Sequence, residues 1–172
     1  MADVWLRFSW HLPGAAFIAP APAGYEIRAA NEDECEAVVS AALAAYETDE
    51  TWVTMMGRIR ERLSARIRAT LGTSGTRYAV AVKDGEIAGV SAASLERHDG
   101  HNLITGVCVA PAHQGRGLAR SLLCDNLIWL RDQGLEEAQV FTDPRAVAAK
   151  RVYPMFGARV DEAPEYRAPE AA

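Results

Sequence analysis

VCVAPAHQGRGLAR, at residues 107–120, joins an apolar strand ending to a proline turn, a loop with two glycines and an apolar helix that begins near Leu118. Glycine tolerates the tight backbone path that such a loop needs, and the first amides of a helix have no partner within it. The loop therefore predicts a cluster of free N–H groups. Arg116 and Arg120 add positive charge beside them, and this combination favours binding of a pyrophosphate.

Other phosphate-binding loops are disfavoured by their spacing. The chain contains no GxxxxGK[ST] sequence. Its glycines also lack the GxGxxG spacing that is followed by an acidic residue about 20 positions later. Nucleotide hydrolysis is therefore not the function that this loop predicts.

The chain has 172 residues and a formal net charge of -5. This length is typical of one domain with a sizeable core. Net negative charge disfavours general nucleic-acid binding, because a basic face is needed to displace counterions from phosphates. Cys35, Cys108 and Cys124 are widely spaced and form no CxxC pair, so we expect neither a disulfide framework nor a metal site. A reducing cytoplasm fits this cysteine usage.

Residues 1–24 form an N-terminal extension with a pattern of its own. Val4, Leu6, Phe8, Trp10 and Leu12 alternate with Trp5, Arg7, Ser9 and His11, which predicts a strand. Prolines and a glycine interrupt the apolar run that follows, and no basic cluster precedes it, so we expect neither a signal peptide nor a membrane span. We expect an extra edge strand, which either covers part of this domain or pairs with a second subunit in a homodimer.

Residues 25–167 carry the pattern of the main domain. The predicted elements are a strand at 25–29, a helix at 31–46, a second helix around 52–67, strands at 77–83, 86–96 and 101–109, a helix at about 118–133, a strand at 137–142 and a helix at about 146–156. Asp84-Gly85 between apolar runs is a strong hairpin signal. This order predicts an α+β fold, followed by a flexible tail at residues 168–172.

Gln114-x-x-Gly117-x-Ala119, preceded by Val109-x-Pro111, resembles the acyl-CoA pyrophosphate loop of the GNAT superfamily of N-acyltransferases. The resemblance implies a mixed, mostly antiparallel central sheet flanked by helices, in the order β-α-α-β-β-β-α-β-α-β, with the N-terminal strand as an addition. It also implies an N-acetyltransferase that uses acetyl-CoA and a small-molecule or peptide amine. The residues that would bind acetyl-CoA are Val107, Cys108, Val109, Gln114, Gly115, Arg116, Gly117, Leu118, Ala119 and Arg120.

Two further features are implied by the same resemblance. The strand containing Val107 and Val109 bulges in the family, so that its backbone pairs with the pantetheine arm of the cofactor. Tyr153 stands where the family places a tyrosine that donates a proton to the leaving thiolate. The chain departs from the family at Ala146, where asparagine is usual, and at Pro154, which we expect to kink the last helix and displace Tyr153.

The group that accepts the proton of the amine is less evident in the sequence. Glu96, near the end of a central strand, is the best candidate, whereas His98 and His101 are predicted turn residues. The acidic loop at residues 47–50 would suit a cationic acceptor, such as a polyamine, an aminoglycoside-like amine, an amino acid or a protein N-terminus, or it is simply a solvated turn. A degenerate domain that binds acyl-CoA as a sensor, without turnover, is the alternative function.

Overall fold

Two antiparallel sheets lie side by side in the computed structural model, which describes residues 4–168. The first sheet has the order β2-β3-β4-β5 and consists of β2 (Glu26–Ala29), β3 (Thr76–Lys83), β4 (Glu86–Ser94) and β5 (Thr105–Val109). The second has the order β6-β1-β7 and consists of β1 (Trp5–His11), β6 (Glu137–Thr142) and β7 (Arg159–Ala163). The helices are α1 (Cys35–Glu47), α2 (Met56–Thr70), α3 (Leu118–Asp132) and α4 (Val147–Arg151). After β1, the chain follows the predicted order, which confirms the expected fold class.

The extra N-terminal strand is confirmed, but its predicted position at an edge is wrong. β1 lies in the middle of the second sheet, where Phe8 pairs with Val140 of β6 on one side and with Val160 of β7 on the other. Phe8 and Trp10 are almost completely buried. Both edges of β1 are therefore used within the chain, and neither is left for pairing with a second subunit.

The two sheets touch at one end and separate at the other. The backbone N–H of Asn102, just before β5, donates to the carbonyl of Gln139 in β6 at 2.8 Å, and the Asn102 side chain accepts from the Gln139 N–H at 3.0 Å. Beyond this contact β5 pairs only with β4, and β6 pairs only with β1. The gap between β5 and β6 is the position at which a cleft can open.

The helices cover the sheets on separate clusters of apolar side chains. α1 and α2 pack on the first sheet through residues that include Val38, Ile59 and Ile67. α3 packs on the other side and contributes Leu123 and Leu127 to the cluster that contains β1. The two sheet edges that face the cleft are therefore supported by separate clusters of buried side chains. None of the described helices is long and apolar enough to cross a membrane.

Several predicted boundaries differ from the structure: α1 begins at Cys35 instead of residue 31, α2 at Met56 instead of about 52, and β4 ends at Ser94 instead of 96. The strand predicted from residue 101 begins at Thr105, because the segment before it crosses to β6. The helix predicted from 146 to 156 ends at Arg151, ahead of Pro154. At the C-terminus Ala168 is buried, and the rest of the predicted tail, residues 169–172, lies outside the described residues.

Candidate active site

A β-bulge interrupts β5 at the point where the cleft opens. Val90 pairs with Cys108, but Ala92 pairs with Thr105, so β5 has one residue more than β4 over this interval. An extra residue bends a strand and turns backbone groups away from its neighbour. The Val107 N–H accordingly points away from β4 and donates to the Tyr153 hydroxyl at 3.4 Å. The predicted bulge is confirmed.

Tyr153 is a buried residue with a defined hydrogen-bonding arrangement. Its ring lies against Phe8 and Trp10, with centroid distances of 5.6 and 6.1 Å. Because the hydroxyl oxygen accepts from Val107, its own hydrogen remains available to donate into the cleft. Burial raises the pKa of Tyr153 above its usual value, since the phenolate would be poorly solvated. The side chain therefore stays protonated throughout the physiological pH range.

Pro154 does not disturb this placement, contrary to expectation. α4 has already ended at Arg151, and the Tyr153 N–H donates to the Ala148 carbonyl at 2.9 Å. The proline therefore follows the helical hydrogen bonds instead of removing one.

Ala146 occupies the N-cap of α4 and cannot cap it through its side chain. A carboxylate from another part of the chain takes over this role. Asp49 accepts from the Val147 N–H at 3.3 Å, and it also accepts from the Thr51 N–H at 3.0 Å at the start of its own 3-10 turn. Asp49 thus caps its own 3-10 turn and compensates for Ala146 as well.

The loop at residues 115–120 has the backbone geometry of an anion site. Gly115 and Gly117 have φ values of 76° and 86°, a conformation that disfavours side chains, and Gly117 is the N-cap of α3. Ser121 is the first residue of the helix whose N–H donates back to a carbonyl, that of Gly117. The N–H groups of Leu118, Ala119 and Arg120 therefore lack helical acceptors, as those of every helix start do.

The side chains around this loop have different tasks. Gln114 donates to the Val109 carbonyl at 3.0 Å and to Thr48 at 3.3 Å, which ties the loop to β5 and to the segment after α1. Arg116 donates to the Tyr25 hydroxyl at 3.0 Å, outside the cleft. Arg120 lines the cleft and lies over the ring of Phe156, 5.8 Å from its centroid. Of the two arginines, Arg120 is the one placed to face a ligand.

A cleft of about 350 Å³ connects the loop to Tyr153. Its walls come from β5, the loop, α4 and the segment after α1; the lining residues include all the predicted binding residues except Arg116. This volume lies in the range of small-molecule sites, about 300 to 1,000 Å³. Free amides and Arg120 at one end and an apolar middle suit a ligand with a charged pyrophosphate and a long, mostly neutral arm.

The environment of Cys108 does not favour a role as a nucleophile. The side chain is buried, its thiol lies 3.3 Å from the Gly106 carbonyl, and burial raises the pKa of Cys108 to about 12. Since the thiolate is the reactive form, a thiol that stays protonated does not form acyl intermediates readily. This environment therefore disfavours a covalent acyl intermediate on Cys108.

A second, smaller cavity of about 70 Å³ lies on the other side of Tyr153. We call it the acceptor cavity; it is lined by Trp5, Tyr46, Trp52, Ile59, Leu63, Arg66, His101, Leu103, Ile104, Gly106, Val140, Phe141, Thr142 and Tyr153. The cleft and the acceptor cavity meet at five residues that line both of them: Tyr46, Trp52, Gly106, Thr142 and Tyr153.

Glu96, the predicted base, is exposed and lines neither cavity. His101, predicted to be a turn residue at a wet surface, instead faces the acceptor cavity. Its Nδ1 accepts from the Phe141 N–H at 3.3 Å, and its Nε2 lies 2.6 Å from the Tyr166 hydroxyl. Burial lowers the pKa of His101 to about 4, so the ring is neutral at pH 7. The sequence signal that could have placed His101 at this cavity is its position just before the bulged strand.

No group of side chains in residues 4–168 has the composition and spacing of a metal site. The arrangement therefore consists of an anion-binding loop, an apolar cleft, a buried proton donor and a small cavity beyond it. These parts can hold a thioester of a long phosphorylated carrier on one side and a nucleophile on the other.

Comparison with solved structures supports the fold. A GCN5-related N-acetyltransferase from Sphaerobacter thermophilus matches with a TM-score of 0.60 and 20% identity over 93% of this chain and 50% of that chain. A Drosophila protein matches with a TM-score of 0.61 and 12% identity over 94% of this chain and 51% of that one. A GCN5-related N-acetyltransferase from Ralstonia eutropha matches with a TM-score of 0.52 and 16% identity, over 66% and 80% of the two chains. The chain spans about half the length of the first two proteins.

No curated protein sequence matches the chain. A family model does: that of the acetyltransferase (GNAT) family aligns with residues 28–158, which include the bulged strand, the anion-binding loop and Tyr153. Because this match extends over well more than half of the sequence, the chain belongs to the acetyltransferase (GNAT) family.

Proposed function

We propose that this protein is an N-acetyltransferase that transfers the acetyl group of acetyl-CoA directly to a primary amine. The observation that carries the proposal is the position of the Tyr153 hydroxyl at the meeting point of the cleft and the acceptor cavity. A thioester bound in the cleft would end beside this hydroxyl, with its carbonyl carbon open to the acceptor cavity.

The proposed binding mode follows from the backbone of the cleft. The amides at the start of α3 and Arg120 hold the pyrophosphate. Directly after β5, the Ala110 N–H donates to the Ala88 carbonyl of β4 at 2.8 Å, so by alternation the Val109 N–H faces away from β4. The pantetheine amides would pair with this open edge in the manner of an added strand.

The proposed reaction has two steps. The amine nitrogen attacks the thioester carbonyl carbon, forming the N–C bond while the carbonyl electrons move to oxygen. The C–S bond then breaks, the departing sulfur takes the Tyr153 proton, and the proton lost by nitrogen restores the tyrosine through solvent. Holding both reactants in contact supplies the main acceleration, about 7 to 11 kcal/mol at ideal geometry. The Val107 N–H, whose hydrogen bond to the Tyr153 hydroxyl is long at 3.4 Å, would be the backbone donor to the developing oxyanion.

The described residues that line the acceptor cavity include no carboxylate that could accept the proton of the amine. An alkylamine with a pKa near 10.4 is a free base about once in 2,500 molecules at pH 7, which corresponds to about 4 to 5 kcal/mol. We propose that the amine reacts from this free fraction or loses its proton to water.

The proposal also assigns the protein to the cytoplasm. Cys35, Cys108 and Cys124 are all unpaired, which supports a reducing compartment.

Titration of the purified protein with acetyl-CoA, followed by thiol release with a panel of amines, tests the function. Binding together with release on an amine is the expected result. Binding without release on any amine would favour the sensor alternative. An absence of binding would contradict the assignment of the loop.

Gly117→Asp should weaken acetyl-CoA binding at least tenfold, because it places a carboxylate beside the phosphates. Like charges about 4 Å apart repel by about 4 kcal/mol at an effective dielectric constant of 20, and tenfold corresponds to about 1.4 kcal/mol. The control is Gly14→Asp, at an exposed glycine with a similar φ of 70° and nothing within 4 Å of the added Cβ. Isothermal titration should show an unchanged dissociation constant for the control. Equal affinities for the two variants would remove the loop from the site.

Gly106→Ala should lower kcat about 100-fold or more. The new Cβ would lie 2.5 Å from the Tyr153 oxygen, so the hydroxyl must leave its position between the two cavities. Its backbone φ is ordinary, so alanine adds no strain there. Gly57→Ala is the control, because its Cβ would meet nothing within 4 Å on the exposed face of α2. An unchanged kcat for Gly106→Ala, measured by thiol release, would argue against catalysis at this junction.

A further inference from the structure

The acceptor cavity differs in charge from the acidic loop that the sequence suggested for the acceptor. Glu47 and Glu50 are exposed, and Glu47 pairs with Arg60 at 2.7 Å. Asp49 caps α4 and its own 3-10 turn. None of these carboxylates lines the acceptor cavity. Asp49 lines the cleft but not the acceptor cavity, so the loop places no carboxylate in the acceptor cavity.

Within the described residues, the walls of the acceptor cavity contain one charged side chain, and it is a cation. Arg66 donates to the Ile104 carbonyl at 2.8 Å and lies 3.7 Å from the exposed carboxylate of Asp99. His101 adds no charge at neutral pH, because its Nδ1 is held by the Phe141 N–H and its Nε2 by Tyr166. A second ammonium group entering this cavity would be desolvated without a carboxylate partner and would approach Arg66.

The rest of the acceptor cavity is aromatic and aliphatic. Trp5 and Trp52 are in contact with a centroid distance of 6.0 Å, and Tyr46 contacts Trp52 at 5.8 Å. Aliphatic side chains such as Leu63 and Ile104 complete the walls. The volume of about 70 Å³ is roughly half that of a cavity of about 150 Å³ that accommodates benzene. The space therefore suits a compact apolar group.

We infer that the acceptor is a primary monoamine with a compact apolar substituent, and that amines with a second cation are poor acceptors. The inference rests on the proposed acetyl transfer and specifies its substrate class. The amino group lies beside Tyr153, at the mouth shared with the cleft, and the apolar substituent fills the acceptor cavity. The amine carries its single charge only until it loses its proton, so no cation remains in the apolar part.

A matched pair of amines tests the inference with the unmodified protein. 2-Methylpropylamine and 1,3-diaminopropane have similar lengths, but the diamine carries a second ammonium where the monoamine carries a branched apolar end. We expect kcat/KM for thiol release from acetyl-CoA to be at least tenfold higher for the monoamine. Equal values, or a preference for the diamine, would overturn the inference while leaving the acetyltransferase proposal intact. No release with any amine would overturn both.

The variant Trp5→Ala tests whether the acceptor cavity determines the preference for a compact apolar substituent. Trp5→Ala removes one wall, so the activity ratio of benzylamine to 2-methylpropylamine should rise about tenfold. Trp129→Ala is the control, because this half-buried tryptophan of α3 lines neither cavity. It should leave the ratio unchanged. A ratio that is the same in both variants would contradict the assignment of this cavity to the substituent.

Discussion

Tyr153→Phe is expected to lower kcat by a factor of about 10² to 10⁴, the range associated with loss of a positioned proton donor. The ring remains packed against Phe8 and Trp10, so the cleft keeps its shape. Only the hydroxyl, which accepts from Val107 and can donate to the departing sulfur, is removed. The dissociation constant of acetyl-CoA should stay within about threefold of the original value.

Tyr78→Phe is the matched control for this experiment. Tyr78 is also a buried tyrosine whose hydroxyl is hydrogen-bonded, in this case to Thr70 at 2.8 Å, and it lines neither cavity. Each variant should lose about 1 kcal/mol of stability with its hydrogen bond. A fall in kcat confined to Tyr153→Phe supports proton donation, whereas equal kcat in both variants and the unmodified protein would exclude Tyr153 from the mechanism.

The pH dependence provides a second readout of the same residue. Burial raises the pKa of Tyr153 above its usual value near 10, so its protonated form persists as the pH rises through 9. The free-base fraction of the amine increases over the same range. The rate with the unmodified protein should therefore climb with pH up to about 10. A decline between pH 8 and 9 would show that another group, with a lower pKa, limits the reaction.

The sequence was most informative where function depends on local backbone structure. The loop at residues 115–120 could be predicted because its two glycines lie directly before an apolar helix, and Tyr153 because of the family resemblance. The bulge at Gly106 and Val107 came from the family resemblance. These features lie within short segments, so their geometry depends little on the remainder of the chain.

The acceptor side could not be predicted in the same way. His101 and Trp5 are 96 positions apart in the sequence, and Glu96 lies closer to the bulged strand than Trp5 does. The distances of His101, Trp5 and Glu96 from Tyr153 depend on how the two sheets are joined. The alternation of Phe8 and Trp10 identified a strand, but periodicity shows which side chains share a face and not which strands pair with it. In the acidic loop, Glu47 pairs with Arg60 and Asp49 caps two turns, which agrees with the solvated-turn alternative.

Deletion of residues 1–23 should prevent the remaining chain from folding. The deletion removes the middle strand of the second sheet and leaves β6 and β7 without their common partner. Substituting a single buried Phe or Trp by Ala typically costs about 3 to 5 kcal/mol, and Phe8, Trp10 and Leu12 are all buried. Their combined loss reaches the whole stability of an ordinary domain, about 5 to 15 kcal/mol. Circular dichroism should show no cooperative unfolding transition.

Trp10→Ala tests the same point in the full chain. The indole is fully buried and donates to the Met155 carbonyl at 2.9 Å, so we expect a loss of about 3 to 5 kcal/mol and a Tm lower by about 6 to 20 °C. Ile18→Ala, at a side chain that is 73% exposed, should change neither value measurably.

A peptide of residues 1–24, added to the truncated chain, distinguishes a missing strand from a general loss of stability. If β1 completes the sheet between β6 and β7, the peptide should restore both the transition and acetyl-CoA binding, since main-chain pairing on both edges fixes its register. The same peptide with Trp10→Ala should restore them less well. A truncated chain that unfolds at the original midpoint without any peptide would make β1 an accessory cover, and the wall that Trp5 contributes to the acceptor cavity would then be dispensable for the fold.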